Sequence, residues 1–306
     1  MANKRDFLSM DDLSPAELVA LLDEADEIKS HPEAAADRIA GRQVLLLFEK
    51  PSTRTRVSFE VAVTSMGGHA LVLRSDELQL GRGETIEDTG RVLSGYADAI
   101  VLRTFGQDRL ELLAEAADIP VVNALSDFSH PCQALADLQT IREQKGTLEG
   151  LALAYLGDGN NVAHSLMFAG AKVGMDVRVA SPPGYEPSTQ VAERSSLIGA
   201  ETGGRITVTN VVAEAASGAD VLYTDVWASM GQEAQSGERA EVLAHYRLDL
   251  DAVDLAKDDA IVMHCLPAHR GEEIAAEVLD GPRSVVWDQA ANRLHTQKAL
   301  LAWLLG

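Results

Sequence analysis

The five residues Ser52-Thr-Arg-Thr-Arg56 follow the apolar run Val44–Phe48 after Glu49-Lys50-Pro51. At the start of a helix, the first backbone N–H groups lack intrahelical partners and carry partial positive charge, which makes a ready anion site. Ser52, Thr53 and Thr55 would add hydroxyl donors, and Arg54 a guanidinium able to grip phosphate oxygens in pairs. The same residues also read as an ordinary Ser/Thr helix cap with solvated arginines. They are not a P-loop, because G-x-x-x-x-G-K-[ST] is absent. Arg103 closes the run Ala99–Leu102, as either a surface stop or a site residue. In His130-Pro131-Cys132-Gln133, Pro131 suits a first helical position, leaving His130 and Gln133 near that helix's N-terminus.

Three further segments lie in the second half. Gly157-Asp158-Gly159-Asn160-Asn161 follows a strand-like run and opens a helix, but the third glycine of a dinucleotide fingerprint is replaced by Val162. A tight turn presenting Asn161 to a ligand is the better reading. Asp225-Val-Trp-Ala-Ser229-Met230-Gly231 follows Val221–Tyr223 and offers a carboxylate suited to an ammonium group, or simply a helix cap. His264-Cys265-Leu266-Pro267-Ala268-His269 suggests zinc at first sight. Neighbours on an extended segment point to opposite sides, however, and no second ligand cluster is visible, so no metal is expected. A loop offering Cys265 and backbone groups to a substrate is the preferred reading.

The elements that must carry these segments alternate. Ser14-Pro15-Ala16-Glu17 is a capping box, and Leu18, Leu21, Leu22, Ala25 and Ile28 then recur at helical spacing. Strands are predicted over Val44–Phe48, Ala70–Leu73, Ala99–Leu102, Ile119–Val122, Leu151–Leu156, Val177–Ala180, Val221–Tyr223, Ala260–Met263 and Ser284–Trp287. Helices are predicted from Ser52 through Val63, and over Thr85–Tyr96, Pro131–Glu143, Asn161–Val173 and Ala290–Leu305. This alternation predicts an α/β fold of two doubly wound parallel-sheet domains. The apolar face is lost around Arg142–Gly150, which places a boundary there: residues 1–145 with the C-terminal helix 290–306 crossing back, and 146–289. Ligands of such sheets bind outside the carboxyl ends of the strands, where the polar segments above begin.

Composition sets the limits. The 306 residues carry 26 Lys and Arg against 47 Asp and Glu, a formal charge of −21, with 46% hydrophobic residues. That apolar fraction argues for a folded core. The charge argues against nucleic acid or an anionic membrane as partner. Seven lysines among the 26 basic residues lean toward adaptation to high salt, where acidic self-repulsion is screened. Met1 is followed by polar residues, and no apolar run approaches the roughly 20 residues of a membrane span, so a cytoplasmic location with free thiols at Cys132 and Cys265 is expected.

Taken together and in order, Ser52–Arg56, Arg103, His130–Gln133, Asp225–Gly231 and His264–Pro267 resemble the transcarbamylase family, in its ornithine-using branch. The resemblance runs from about Phe7 to the last helix. One departure is Gln289-Ala-Ala-Asn-Arg293, where the family often has acidic residues before Asn-Arg. The resemblance implies transfer of a carbamoyl group from carbamoyl phosphate to L-ornithine without metal or cofactor. It implies that Ser52, Thr53, Arg54, Thr55, Arg103, His130, Pro131, Cys132, Gln133, Cys265, Leu266 and Arg293 meet carbamoyl phosphate, with Gln79 reaching the phosphate of a neighbouring subunit. Among these, Arg54, Arg103, His130, Cys265 and Arg293 would serve catalysis. Asn161, Asp225, Ser229 and Met230 would hold ornithine, and the assembly would be a trimer or a multiple of trimers. Two rival readings are transfer to another amine or to aspartate, and a dinucleotide-dependent dehydrogenase built on Gly157–Asn161. A third is a non-catalytic binding protein on the same fold.

Overall fold

The computed structural model describes residues 4–74, 76–77, 83–227 and 236–306. The chain divides into two compact units, Met1–Leu135 with Arg293–Gly306, and Ala136–Asn292. The first unit holds β1 (Gln43–Phe48), β2 (His69–Arg74), β3 (Ala99–Arg103) and β4 (Val121–Leu125), in the order β2-β1-β3-β4 with every pair parallel. The second holds β5 (Ala152–Leu156), β6 (Asp176–Ala180), β7 (Arg205–Thr209), β8 (Val221–Thr224) and β9 (Ile261–His264), in the order β7-β6-β5-β8-β9, also all parallel. Both are doubly wound α/β sheets, as the alternation of runs predicts.

Central strands are buried on both faces and therefore read as continuous apolar runs, as in Val44–Phe48. In the first unit Leu45, Leu47, Ile100, Leu102 and Val121 meet Leu110 and Leu113 of the helix Gln107–Ala116. In the second, Leu156, Leu222 and Val262 pack with Val253, Ile274, Val278 and Val286. The cap signals hold: Ser14 and Glu17 form the reciprocal box of the helix Pro15–Ser30, and Thr85 caps Ile86–Ser94.

The strand order fixes where ligands can bind. In each unit the chain winds one way from the first strand and then the other, leaving a crevice at the carboxyl ends of β1 and β3, and of β5 and β8. Ser52–Arg56, Arg103, Gly157–Asn161 and Asp225 lie at those ends, and His130–Gln133 and His264–Pro267 follow the neighbouring strands β4 and β9.

Two local expectations fail. Ser284–Trp287 is not a strand: Ser284 makes a single isolated bridge to Val262, and a 20-residue helix already runs from Val286 to Leu305. A short apolar run does not distinguish a buried strand from the first turn of an apolar helix. β7 was not foreseen because it is a sheet edge whose sequence, Arg-Ile-Thr-Val-Thr, is only half apolar.

Candidate functional site

In the first unit, Ser52 is the N-cap of the helix Thr53–Ser65, its Oγ accepting from the Thr55 N–H at 3.3 Å. Capping and anion binding are therefore not alternatives, since a hydroxyl that accepts from the backbone keeps its own proton to donate. Arg54 is exposed on the first turn, whereas Arg103, His130, Gln133 and Arg293 are each 5% exposed or less. The Arg293 guanidinium acts as a fork, donating from Nη1 to Gln133 Oε1 at 2.9 Å and from Nη2 to Thr55 Oγ1 at 3.1 Å. It thereby ties the C-terminal helix to the starts of the two helices that open with Thr53 and Pro131. Burial, then the positive charges of Arg293, Arg103 and Arg54, hold the His130 imidazole well below its ordinary pKa. The ring is neutral at physiological pH among three guanidinium groups. It can donate one N–H to a developing oxyanion.

Two other cations of the same segments are already engaged with carboxylates. Lys50 pairs with Asp127 and lies 4.3 Å from the Phe105 ring centroid, and Arg56 reaches Glu60 at 3.5 Å. Cys132 turns its thiol to the Asn123 carbonyl at 3.4 Å, and burial pushes it up to about 12 against the pull of Arg293. What Cys132 has left for a ligand is backbone.

In the second unit, Gly157 adopts φ +135°, a conformation glycine supplies at the strand-to-helix turn. Asn160 holds this turn in place. Its Oδ1 caps the helix Asn161–Lys172 by accepting from Val162 N and Ala163 N, and its Nδ2 donates to Asp225 Oδ2 at 2.8 Å. Asp225 Oδ1 accepts from the Cys265 thiol at 2.8 Å. The carboxylate after β8 and the thiol after β9 are thus in direct contact, beside the amide of the β5 turn. Tyr155 adds its hydroxyl to Asn160 Oδ1 at 3.2 Å and stacks on Tyr223.

The loop after β9 is held from behind. Leu266, at φ +55°, donates its N–H to His264 Nδ1 at 2.8 Å, which leaves the ring proton on Nε2, 3.2 Å from Glu273 Oε1. Burial lifts the Glu273 carboxyl, but hydrogen bonds from His264 and the His269 N–H outweigh it and hold the group below its ordinary range. The His264 N–H donates to Gln289, whose amide in turn donates to Asp137 and to the Tyr223 hydroxyl. His264 and Cys265 do not diverge as neighbours on a flat strand would: with Asp225 they bring ligand atoms within 4.8 Å of one another. Among the described residues one other such group occurs, His269, Glu272 and Glu273. Both His264 nitrogens are already occupied by protein partners.

Gln79, Ser229 and Met230 lie outside the described residues. The departure at Gln289–Arg293 is accommodated: Gln289 is buried and bonded to His264, Asp137 and Tyr223, Ala291 is exposed, Asn292 is buried and bonded to Thr140 and Glu143, and Arg293 keeps its fork. Asn160, Glu273 and Gln289 were not singled out from the sequence. A position immediately before a predicted helix was a usable signal for Asn160 alone.

Comparison with known proteins matches these two halves separately. Residues 5–143 match the family description "Aspartate/ornithine carbamoyltransferase, carbamoyl-P binding domain", and residues 149–304 match "Aspartate/ornithine carbamoyltransferase, Asp/Orn binding domain". An ornithine carbamoyltransferase of Parafrankia sp. is 64% identical over 304 residues, covering 98% of this chain and 96% of that protein. The structure of the ornithine carbamoyltransferase from Pyrococcus furiosus superposes with a TM-score of 0.95 at 52% identity, covering 99% of this chain and 97% of that one. An anabolic ornithine carbamoyltransferase from Campylobacter jejuni superposes at 0.93 with 36% identity, covering 98% of each chain. A cationic first half and an Asp–Cys second half on this fold, with relatives this similar over this much of both chains, establish that the chain belongs to the aspartate/ornithine carbamoyltransferase family.

Proposed function

We infer that this chain transfers the carbamoyl group of carbamoyl phosphate to the δ-amine of L-ornithine, giving L-citrulline and phosphate. The observation that carries the choice of acceptor is the 2.8 Å contact of Cys265 Sγ with Asp225 at the ends of adjacent strands. A carboxylate in the amino-acid half suits a substrate bearing two ammonium groups and would repel the extra carboxylate of aspartate.

In this reading Ser52, Thr53, Arg54, Thr55 and Arg103, with Gln79 from a neighbouring subunit, hold the phosphate and its growing negative charge. His130, Gln133 and Arg293 bind the carbamoyl group, with Pro131 and the Cys132 backbone completing the start of that helix. Neutral His130 and cationic Arg293 polarise the carbonyl as its oxygen becomes an oxyanion, the kind of preorganised stabilisation from which such reactions gain most. Asn161, Asp225, Ser229 and Met230 hold the α-amino-acid end of ornithine, and Cys265 with the Leu266 carbonyl faces the δ-amine. The amine nitrogen attacks the carbonyl carbon, the bond from that carbon to the bridging oxygen breaks, phosphate leaves with the electron pair, and the proton that the nitrogen sheds on forming the new C–N bond passes to a phosphate oxygen. An alkylamine titrates near pH 10.4, so the attacking nitrogen must first lose a proton and the rate should rise on the alkaline side. No metal or organic cofactor enters this scheme, because the leaving group is already activated. Residues 1–145 with 290–306 are assigned to carbamoyl phosphate, and 146–289 to ornithine.

A trimer, or a multiple of trimers, is the proposed assembly. Val57 and Val61 on the helix Thr53–Ser65 and Leu71 on the edge strand β2 are all exposed apolar side chains, which supports a covered face there. A cytoplasmic, salt-adapted protein is proposed from the charge of −21 and the seven lysines, and no helix among the described residues is long and apolar enough to cross a membrane. The deciding experiment measures carbamoyl transfer to ornithine, putrescine, N-acetylornithine and aspartate in turn. Ornithine should exceed the others in kcat/KM; equal or better use of aspartate overturns the reading.

A further inference from the structure

Arg239, in the helix Ser236–Leu243, belongs to none of the segments discussed above. Its side chain is only 11% exposed, and its guanidinium is held at three points. It pairs with the Asp158 carboxylate, donates from Nε to the Trp227 carbonyl at 2.6 Å, and lies 5.0 Å from the Tyr185 ring centroid. These partners share a location. Asp158 sits in the turn after β5, two residues before Asn160; Trp227 is two residues after Asp225, beyond β8. Tyr185 accepts a hydrogen bond from Gly159 N at 2.8 Å, in the same turn as Asp158. One planar fork therefore bridges the two turns that flank the crevice of the second sheet.

We propose that Arg239 is a positioning residue for the amino-acid substrate, setting the separation of the Asn160–Asn161 turn from Asp225 without touching the substrate. The proposal rests on the assignment of Asn161 and Asp225 to ornithine made above. The charges explain why a fork is needed. Burial lifts the Asp158 carboxyl and nearby Asp225 lifts it further, while Arg239 opposes both. Without the guanidinium, Asp158 loses its counter-ion while Asp225 stands in the adjacent turn. A lysine would restore a point charge but not two directed donors, so it would meet Asp158 or the Trp227 carbonyl and not both.

The test compares Arg239→Gln, Arg239→Lys, Asp158→Asn, the double variant Arg239→Gln/Asp158→Asn and a control, Asp225→Asn, by steady-state kinetics and by calorimetric binding of carbamoyl phosphate. Arg239→Gln should raise KM for ornithine about 10- to 100-fold, the range of a lost charge-assisted hydrogen bond. Carbamoyl-phosphate affinity should stay within about two-fold, as for a distant, independent site. Arg239→Lys should recover part of the loss, and the double variant should lose less than the product of its parents. If Arg239→Gln does not fold, Asp158→Asn must show the same split between substrates. An ornithine KM unmoved by Arg239→Gln while Asp225→Asn raises it overturns the positioning role alone. Equal weakening of both substrates with a lowered melting temperature also overturns it, as a merely structural effect. An ornithine KM unmoved by Asp225→Asn overturns the assignment beneath it, and the proposal with it.

Discussion

Gly159→Ala perturbs the amino-acid half without removing a single functional group. A Cβ built at Gly159 would lie 2.1 Å from Pro187 N and 2.5 Å from Glu186 C, both backbone atoms that cannot swing aside. Ordinary contact at about 3.5 Å requires a separation greater by about 1.4 Å, shared between the turn and the 186–187 segment. That turn carries Asn160, whose amide caps the following helix and donates to Asp225 at 2.8 Å. A displacement of about 1 Å in a positioning element can cost on the order of 100-fold in rate. The strain itself should cost about 1–3 kcal/mol of stability, as overpacking does elsewhere. The expected result is a folded protein with kcat/KM for ornithine reduced roughly 100-fold and unchanged carbamoyl-phosphate binding, since every residue assigned to the phosphate among Ser52–Thr55, Arg103 and His130 belongs to the other unit. Kinetics with ornithine varied, beside calorimetric titration of carbamoyl phosphate, reads both numbers. An ornithine kcat/KM within about two-fold of the parent would falsify the claim that this turn's position matters.

Cys265→Ala removes a hydrogen bond to a carboxylate, so turnover should drop about 10- to 100-fold with carbamoyl-phosphate affinity intact; loss of that affinity alone would show the thiol misplaced. A thiol reagent under native conditions should label Cys265 and spare Cys132, which is fully buried and pushed up to about 12; two labels per native chain would refute this. Arg293→Met takes both donors from Gln133 and Thr55, and a loss of about 100- to 1,000-fold in kcat is expected if the guanidinium meets the oxyanion. His130 has a folded pKa below its unfolded value, so below about pH 6.5 the unfolded chain takes up a proton that the folded one refuses. Stability should therefore fall with decreasing pH from that point, by up to about 1.4 kcal/mol per pH unit from this group. Urea unfolding of the parent and His130→Gln across about pH 5–7.5 should show a shallower slope in the variant.

How much of this was legible in the sequence differs by kind of residue. Strand ends were readable because buried parallel strands are continuous apolar runs, so the first polar residue after each, as at Arg103 and Asp225, marks the carboxyl edge. Ser52 was readable as a helix cap because local cap chemistry fixes its place, and the Gly157–Asn161 turn was readable in the same way, although its cap is Asn160. Glu273 was not: it bonds His264 and the His269 N–H only nine and four residues away, but no cap or helical period marks that loop. Arg239 was not, because it acts across a sequence separation that no period or cap encodes, meeting Asp158 at 81 residues' distance. The thiol–carboxylate contact was hidden for the same reason, Asp225 and Cys265 being 40 residues apart and joined only by the pairing of β8 with β9. Ser284–Trp287 failed for the opposite reason: its local pattern is compatible with two elements, and only the context of the whole helix chooses.

The net charge of −21 gives no hint of an anion substrate, and the structure shows why the two facts coexist. In the first unit, Lys50 and Arg56 are each matched to a carboxylate, Asp127 and Glu60, whereas the charges of Arg54, Arg103 and Arg293 converge on the buried His130. An anion bound there would meet three converging positive charges, a local field opposite in sign to that of the chain as a whole. The second unit does the reverse, seating Asp158 and Asp225 in neighbouring turns with Arg239 set against one of them. Each half thus carries an excess of the charge opposite to its proposed reactant. Because Arg103 and Arg293 are buried, bulk salt screens them less than it screens exposed acidic groups. The local imbalance therefore reports on the ligand in a way that overall composition does not.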